Sequence, residues 1–320
     1  MILGIESTAH TFGVGLVDDR ILANVKDVYV PPLGWGIAPD KAAEHHRDVA
    51  EGVLSQALKQ AGASLSDVTK IAYSAGPGLS PPLIFGRDFA VKLAKKYNKP
   101  LVPVNHCVAH IEVARFSTGA KDPVMLYTSG GNTQVITFES GRYRVFGETQ
   151  DISIGNLVDV FAREAGLSTP GGPVIEKLAS KGKNYIKLPY VVKGMDVSFS
   201  GILTNLKQKL GKYPIEDLAY SLQETCFAML IEVSERAMAH CKKDEFVVTG
   251  GVAANKRLQQ MAGIMCKERG AKFYPLDTSL AGDNGAMIAV VGKLDNRTVD
   301  PDHADIIPKW RTDQVEVVWR

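Results

Sequence analysis

The feature that most constrains this chain is that it runs through one order of elements twice. Residues 4–17 (GIESTAHTFGVGLV) read as apolar strand, small polar turn and apolar strand, and ILANVKDVYV supplies a third strand. Apolar residues at helical spacing (Ala43, Val49, Val53, Leu54, Ala57, Leu58) predict a helix over 41–62 that stops on a glycine. A strand at KIAYSA, a turn at GPGLSPP, a helix over 84–97, a strand at LVPV and a helix opening near His106 complete the first run. The pattern then restarts at LYTSGGNTQVITF (126–138), again strand, Gly-rich turn, strand. RYRVFGE, several helices, FVVTG, a helix from Asn255 and KFYPL follow. Two β-β-β-α-β-α runs predict an α/β chain of two lobes with duplicated cores, 1–118 and 119–294, whose strand-end turns point into a cleft. Residues 295–320, polar but for Trp310 and Trp319, are expected to fold back on the first lobe. A single doubly wound sheet is the competing architecture, and two three-stranded meanders fit it poorly.

The bulk numbers agree with that plan and exclude some classes. With 320 residues, 45% apolar, there is enough chain for two cores. A net charge of +2 does not by itself advertise a polyanionic partner. No apolar run approaches the roughly 20 residues of a membrane span, and the chain opens directly in a strand rather than a leader. Four cysteines stand far apart with no C-x-x-C pair, which reads as reduced thiols in a cytoplasmic protein.

Three strand ends run into turns of glycine and small hydroxyl residues: Glu6-Ser7-Thr8, Ser129-Gly130-Gly131-Asn132-Thr133 and Gly250-Gly251-Val252-Ala253-Ala254-Asn255. Such turns let successive N–H groups converge on phosphate oxygens, and the third also opens a helix whose first amides attract anions. None is a Walker A loop or a Rossmann fingerprint. In NHCVAH, Asn105 is a plausible cap and His106 and His110 share one helical face, the spacing that chelates a metal. Cys107 stands where a zinc protease needs its glutamate, which argues against that chemistry. A third ligand must come from elsewhere. Asp283 in AGDNGAM is the best candidate, but its position also suits a helix cap, and the residues alone leave both readings open. The neighbours His45 and His46 are expected to point to different sides of their helix.

Taken in order, GIESTAH, SAGPGL, VNHCVAH, YTSGGNTQ, GETQDISIGNLVDVFAREAGL, PGGPVIEKLA, SFSG and GGVAAN…AGDNGAM resemble the TsaD-like family over the whole chain. Within it they are similar to the archaeal and eukaryotic branch, the catalytic subunit of the KEOPS complex. The resemblance implies the two-lobed actin/Hsp70/sugar-kinase fold. It implies that His106, His110 and Asp283 are catalytic and hold a metal, iron first and zinc second, with Tyr127 as a further ligand. Tyr127, Thr128, Ser129, Gly130 and Gly131 would wrap the phosphates of an adenine nucleotide (ATP, AMP or threonylcarbamoyl-AMP, with or without Mg). Asp159 and Glu176 would hold the ribose hydroxyls, Gly172 would approach the nucleoside, and Asn255 would lie near the adenine. One departure is that Ser7-Thr8-Ala9-His10 replaces the acidic pair of the bacterial branch, so no role of that pair carries over.

The implied reaction moves threonylcarbamoyl from threonylcarbamoyl-AMP to the N6 amine of the adenosine beside the anticodon in tRNAs that read ANN codons, releasing AMP. No Ser/His/Asp or Cys/His constellation is evident, so direct transfer without a covalent enzyme intermediate is expected. The implied partners are tRNA and KEOPS subunits, among them a small protein kinase, fused at the C-terminus in some relatives, and a small dimerising subunit; a membrane is not among them. Residues 181–212 hold seven lysines and one acidic residue, Asp196, and are a candidate strip for tRNA phosphates. The runner-up is a metal-dependent ATPase or kinase of the same fold, followed by an endopeptidase and a non-catalytic scaffold.

Overall fold

Side chains alternate along a strand, and in β1 (Ile2–Glu6) the alternation separates two kinds of residue. Leu3 and Ile5 enter a buried apolar cluster, which puts Gly4 and Glu6 on the opposite face. In β2 (Thr11–Val17), Phe12, Val14 and Leu16 enter the same cluster, and Gly13 and Gly15 do not. The computed structural model describes residues 1–32, 35–168 and 170–320. In it the first sheet runs β3 (Ile21–Val28), β2, β1, β4 (Lys70–Gly76), β5 (Leu101–Asn105). The β3, β2 and β1 strands are antiparallel neighbours; β1, β4 and β5 are parallel. α1 (Pro39–Ala61) and α2 (Ser80–Tyr97) cover the Leu3 face through Ala50, Val53, Leu54, Phe89 and Leu93. α1 ends on Gly62 at φ 62°, as its sequence predicts. α2 begins four residues before the expected 84, because Pro81 and Pro82 fall in its first turn, where a missing N–H leaves no bond unmade. α3 (His106–Thr118) leaves β5 without a connecting loop.

The second half repeats the order. β6 (Val124–Thr128), β7 (Thr133–Glu139) and β8 (Arg142–Glu148) form the meander. Then come α4 (Ile154–Glu164), α5 (Gly171–Ala179), the two-residue strands β9 (Val192–Lys193) and β10 (Asp196–Val197), α6 (Ser200–Lys209) and α7 (Ile215–Cys241). β11 (Glu245–Thr249), α8 (Lys256–Arg269), β12 (Lys272–Tyr274) and α9 (Thr278–Ala281) complete it. The sheet order β8-β7-β6-β11-β12 matches β3-β2-β1-β4-β5 position for position. Two sheets of one topology rule out the single doubly wound sheet.

The sequence predicts residues 119–294 as the second half, and on this point the structure differs. The compact units are Met1–Ser117 with Ser140–Tyr143 and Asp283–Arg320, and Thr118–Glu139 with Arg144–Gly282. Glycine is the cause. α10 (Gly285–Leu294) lies on the face of the first sheet that Gly4, Gly13 and Gly15 leave bare. A Cβ on Gly4 would stand 2.2 Å from the Ala289 nitrogen, and one on Gly15 would stand 2.2 Å from the Ala286 nitrogen. Gly4 and Gly15 are cross-strand partners, so they open one patch where helix backbone rests directly on strand backbone. The residues after α10 stay with this unit. Val299 bridges Leu101, Trp310 packs against the apolar cluster, and the Trp319 indole N–H donates to the buried Glu112 of α3 at 2.8 Å. Among the described residues no helix is long and apolar enough to cross a membrane.

Candidate functional site

The direct β5–α3 junction fixes where the histidine pair sits. Asn105 Oδ1 accepts the Val108 N–H at 3.1 Å, satisfying one amide of the open first turn. His106 and His110, one turn apart, then meet edge to face, with ring centroids 4.7 Å apart and planes at 85°. Both are buried. Asp283 arrives from the residues just before α10, and its Oδ1 lies 3.2 Å from His110 Nε2 and 3.5 Å from His106 Nε2. The alternative left open by the sequence is decided by Asn284, which is the cap: its side chain accepts the Met287 N–H at 3.0 Å. The carboxylate of Asp283 turns to the imidazoles instead. It does so from within the same compact unit as the histidines, not from the other half as the sequence boundary implied.

These three side chains fit a metal ion. Tetrahedral ligation with bonds of about 2.0–2.1 Å places neighbouring ligand atoms about 3.3–3.4 Å apart. The separations from Asp283 to the two imidazoles bracket that value, and all three ligand atoms lie within 4.8 Å of one another. Two imidazoles and one carboxylate suit a divalent ion of the zinc or iron class.

Glu6, which the sequence offers only as part of a turn, joins this cluster. It is fully buried, on the face of β1 that α10 covers. Its Oε2 lies 3.0 Å from His106 Nδ1, and its Oε1 accepts the Thr8 N–H at 2.7 Å and also the Thr8 hydroxyl. A carboxylate on one ring nitrogen fixes the tautomer and leaves the other nitrogen to bind metal. The available signal was a lone carboxylate closing a wholly apolar strand, ILGIE.

Electrostatics in the cluster follow from burial and these charges. Burial opposes a charge on His106, but the Glu6 and Asp283 carboxylates outweigh it and hold its pKa up at about 9. His110 is pushed below the ordinary histidine value, first by burial and then by the charge of His106, against its hydrogen bond to Asp283. Burial also opposes ionisation of Asp283, yet the His106 charge and the His110 hydrogen bond hold its carboxyl far below the usual carboxylate range. A divalent ion held by His106, His110 and Asp283 would require His106 to give up this proton, because a ligating imidazole is neutral.

Two sequence expectations in this unit are corrected. The Glu6-Ser7-Thr8 turn does not offer its amides to a phosphate, because Ser7 N–H donates to Ser74 Oγ at 2.9 Å and Thr8 N–H to Glu6. His45 and His46 do not diverge: their Nδ1 atoms lie 3.3 Å apart, since adjacent imidazoles reach far enough to meet across a 100° step. His45 also contacts Asp27 at 2.9 Å.

The nucleotide-side candidates all belong to the second unit, near the carboxyl ends of the parallel strands β6 and β11. Tyr127 is wholly buried on β6. Ser129 N–H donates to Asn132 O at 2.8 Å and Asn132 N–H to Ser129 Oγ at 2.9 Å, closing a tight turn around the exposed Gly130 and Gly131. A Cβ on Gly250 would meet the Thr128 carbonyl oxygen at 2.2 Å, and one on Gly155 the Ser129 oxygen at 2.5 Å, so three strand and helix ends crowd together at this point. Asp159 Oδ1 accepts Gly171 N–H at 2.8 Å, beside Gly172, around which there is open space. Glu176 Oε1 accepts Lys256 N–H at 2.9 Å, and Asn255 caps α8 through its Oδ1. The structure thus brings Asp159, Gly172, Glu176 and Asn255 to the start of α5 and α8.

A profile of the TsaD family, described as tRNA N6-adenosine threonylcarbamoyltransferase, matches residues 20–290. The protein of that name from Thermococcus kodakarensis is 56% identical over 99% of this chain and 99% of its own. The zebrafish (Danio rerio) protein of the same name is 47% identical over 100% of this chain and 99% of its own. A protein from Methanothermobacter thermautotrophicus named probable bifunctional tRNA threonylcarbamoyladenosine biosynthesis protein is 49% identical over 100% of this chain and 61% of its own. Among solved structures, full-length HypF superposes with a TM-score of 0.61 at 12% identity, covering 91% of this chain and 46% of HypF. Component A of the Acidaminococcus fermentans (R)-2-hydroxyglutaryl-CoA dehydratase gives 0.58 at 14%, covering 91% of this chain and 96% of its own. At those identities the likeness is one of fold, the actin/Hsp70/sugar-kinase-like fold that the paired sheets display.

Proposed function

Because the chain belongs to the TsaD family of tRNA N6-adenosine threonylcarbamoyltransferases, it is a transferase of tRNA modification, and we propose that His106, His110 and Asp283 are its metal centre. The observation that supports this is the convergence of both imidazole Nε2 atoms on one carboxylate oxygen at 3.2 and 3.5 Å, with Glu6 behind His106. The substrate is threonylcarbamoyl-AMP and the acceptor is the N6 amine of the adenosine beside the anticodon in ANN-reading tRNAs. The amine attacks the carbamoyl carbon, the bond from that carbon to the phosphate oxygen breaks, AMP leaves, and N6 gives up a proton. Iron, or zinc in its place, supplies Lewis acidity toward a carbonyl or phosphate oxygen when bound.

The remaining work belongs to the protein's own groups. In the second unit the Gly130 and Gly131 amides are the donors of the 129–132 turn that its internal bonds leave for a phosphate or oxyanion, each worth about 3 kcal/mol in comparable sites. Asp159 and Glu176 are the ribose acceptors, each held in place by a backbone N–H. Gly172 admits the nucleoside, and Asn255 lies on the adenine side. Tyr127 is proposed as a further metal ligand. Transfer is direct, with no covalent enzyme intermediate.

The partners proposed are tRNA, a small protein kinase and a small dimerising subunit of a KEOPS-type assembly; the bifunctional name of the Methanothermobacter relative supports a partner activity. A cytoplasmic location is supported by four free cysteines. Relatives named as kinases or ATPases are absent from the close matches described above, so the kinase or ATPase reading gains no support. The test combines metal content with transfer of labelled threonine to tRNA. His110→Ala and Asp283→Ala should lose metal and at least a hundredfold in transfer, with a native melting profile. Retention of metal and of transfer by Asp283→Ala would refute the assignment, and labelled threonine remaining on denatured protein would refute direct transfer.

A further inference from the structure

The second unit carries a built strip of positive charge and aromatic surface that the transfer chemistry does not use. Residues 183–190 form no helix or strand and run along one face of α7. Asp217 Oδ1 accepts the N–H groups of Lys183 and Asn184 at 2.8 and 3.1 Å. Ser221 Oγ accepts Ile186 N–H at 2.7 Å, Thr225 Oγ1 meets the Tyr185 hydroxyl at 2.8 Å, and Glu232 accepts the Tyr190 hydroxyl. Arg236 closes the row by donating to Gly194 O. The step from Asp217 to Glu232 advances about 22 Å along a helix, and the residues from Asn184 to Tyr190, which form no helix or strand, cover it together with the reach of the Tyr190 side chain. The segment is a strap pinned along its length.

What the strap displays is specific. Tyr185 and Tyr190 are tied by their hydroxyls and remain 53% and 50% exposed, so their rings are held as platforms. Lys181, Lys183, Lys187, Lys193 and Lys212 are exposed and take part in no ion pair among the described residues, whereas Lys207 pairs with Glu164. Residues 181–212 carry +6 (seven lysines against Asp196) while the chain carries +2, so everything outside this stretch sums to −4. The positive charge is concentrated on the strap and its flanks.

We propose that this strap is the docking strip for the RNA substrate, its lysines following the phosphate backbone and Tyr185 and Tyr190 stacking on unpaired bases. The inference rests on the reading of tRNA as acceptor and assigns the surface that receives it. Phosphates recognised by lysine make binding salt-dependent, and base stacking on tyrosine is worth about 1–3 kcal/mol per base. An acidic protein would also be drawn to lysines but would leave two fixed, half-exposed rings without a purpose.

The test measures equilibrium binding of tRNA to the protein, with its partner subunits where the assay needs them, across a range of salt. Lys183→Glu/Lys187→Glu/Lys193→Glu should raise the Kd at least tenfold and flatten the slope of log K against log salt by about 2–3, near 0.7–0.9 for each phosphate no longer neutralised. Tyr185→Leu/Tyr190→Leu should weaken binding at least tenfold with the slope unchanged, and Tyr185→Phe/Tyr190→Phe, which keep the rings but cut the ties that hold them, should weaken it by less than the leucine pair. Reversal of Lys59 and Lys267, exposed elsewhere, is the charge control and should alter neither quantity. Unchanged Kd and slope in the lysine variant would overturn the proposal, and so would loss of an acidic protein partner with tRNA affinity intact. Binding is read without the reaction, so absence of threonylcarbamoyl transfer by the parent protein would sink the functional reading and leave this test standing.

Discussion

Replacing Gly15 with alanine puts a methyl group where the backbone of α10 now stands. The new Cβ would lie 2.2 Å from the Ala286 nitrogen and 2.4 Å from its Cα, against 3.4 Å for ordinary contact. No flexible side chain can swing aside, so helix and strand must separate by about 1.2 Å. Overpacking of this kind costs about 1–3 kcal/mol, offset by roughly 0.5–1 kcal/mol from removing a strand glycine. A net loss near 1 kcal/mol lowers the melting temperature by about 2–4 °C for a unit of this size. The larger effect is on the site. Asp283 precedes α10 by two residues, and metal ligands tolerate displacements of only about 0.2 Å, so metal affinity in a chelator competition should fall at least tenfold. Gly52→Ala is the matched control: it lies in α1 with nothing within 4 Å of its added Cβ and should stabilise by up to about 1 kcal/mol. If Gly15→Ala melted and bound metal like the parent, the backbone-on-backbone seat of α10 would not be what positions Asp283.

Glu6→Gln keeps an acceptor for His106 Nδ1–H but removes the charge, and metal affinity should drop about 10- to 100-fold while the circular dichroism spectrum is retained. Equal affinity in parent and variant would remove Glu6 from the site. Acid stability depends on a different histidine. His46, wholly buried against Phe12, has its pKa pushed down to about 4 by burial first and by the charge of His45 second. The unfolded chain takes up this proton near pH 6.5 and the folded chain only near 4, so stability is present above about 6.5, falls as pH drops through that window, and levels off below it. The amount is roughly 3 kcal/mol. Urea midpoints across pH 4–7 should fall accordingly, and His46→Met should have a shallower acid limb; a parallel limb in the variant would contradict this.

Much of the fold is written in local pattern. Strand alternation and helical spacing mark nearly every element, and the repeated order of elements announces two sheets of one topology, because periods of 2 and 3.6 are properties of the backbone that any solvent-facing element must obey. His106 and His110 are legible for the same reason, being one turn apart on one helix. Asp283 and Glu6 are not. Asp283 stands 173 residues from His110, and only the glycine patch of β1 and β2, which lets α10 rest on bare backbone, brings its carboxylate to the imidazoles. Glu6 lies 100 residues from His106, and its face of the sheet acquires meaning only when α3 and α10 are in place. Spacing along the chain determines what neighbours on one element share. Which distant groups converge is decided by how closely two backbones can approach, and that is a property of the packed structure.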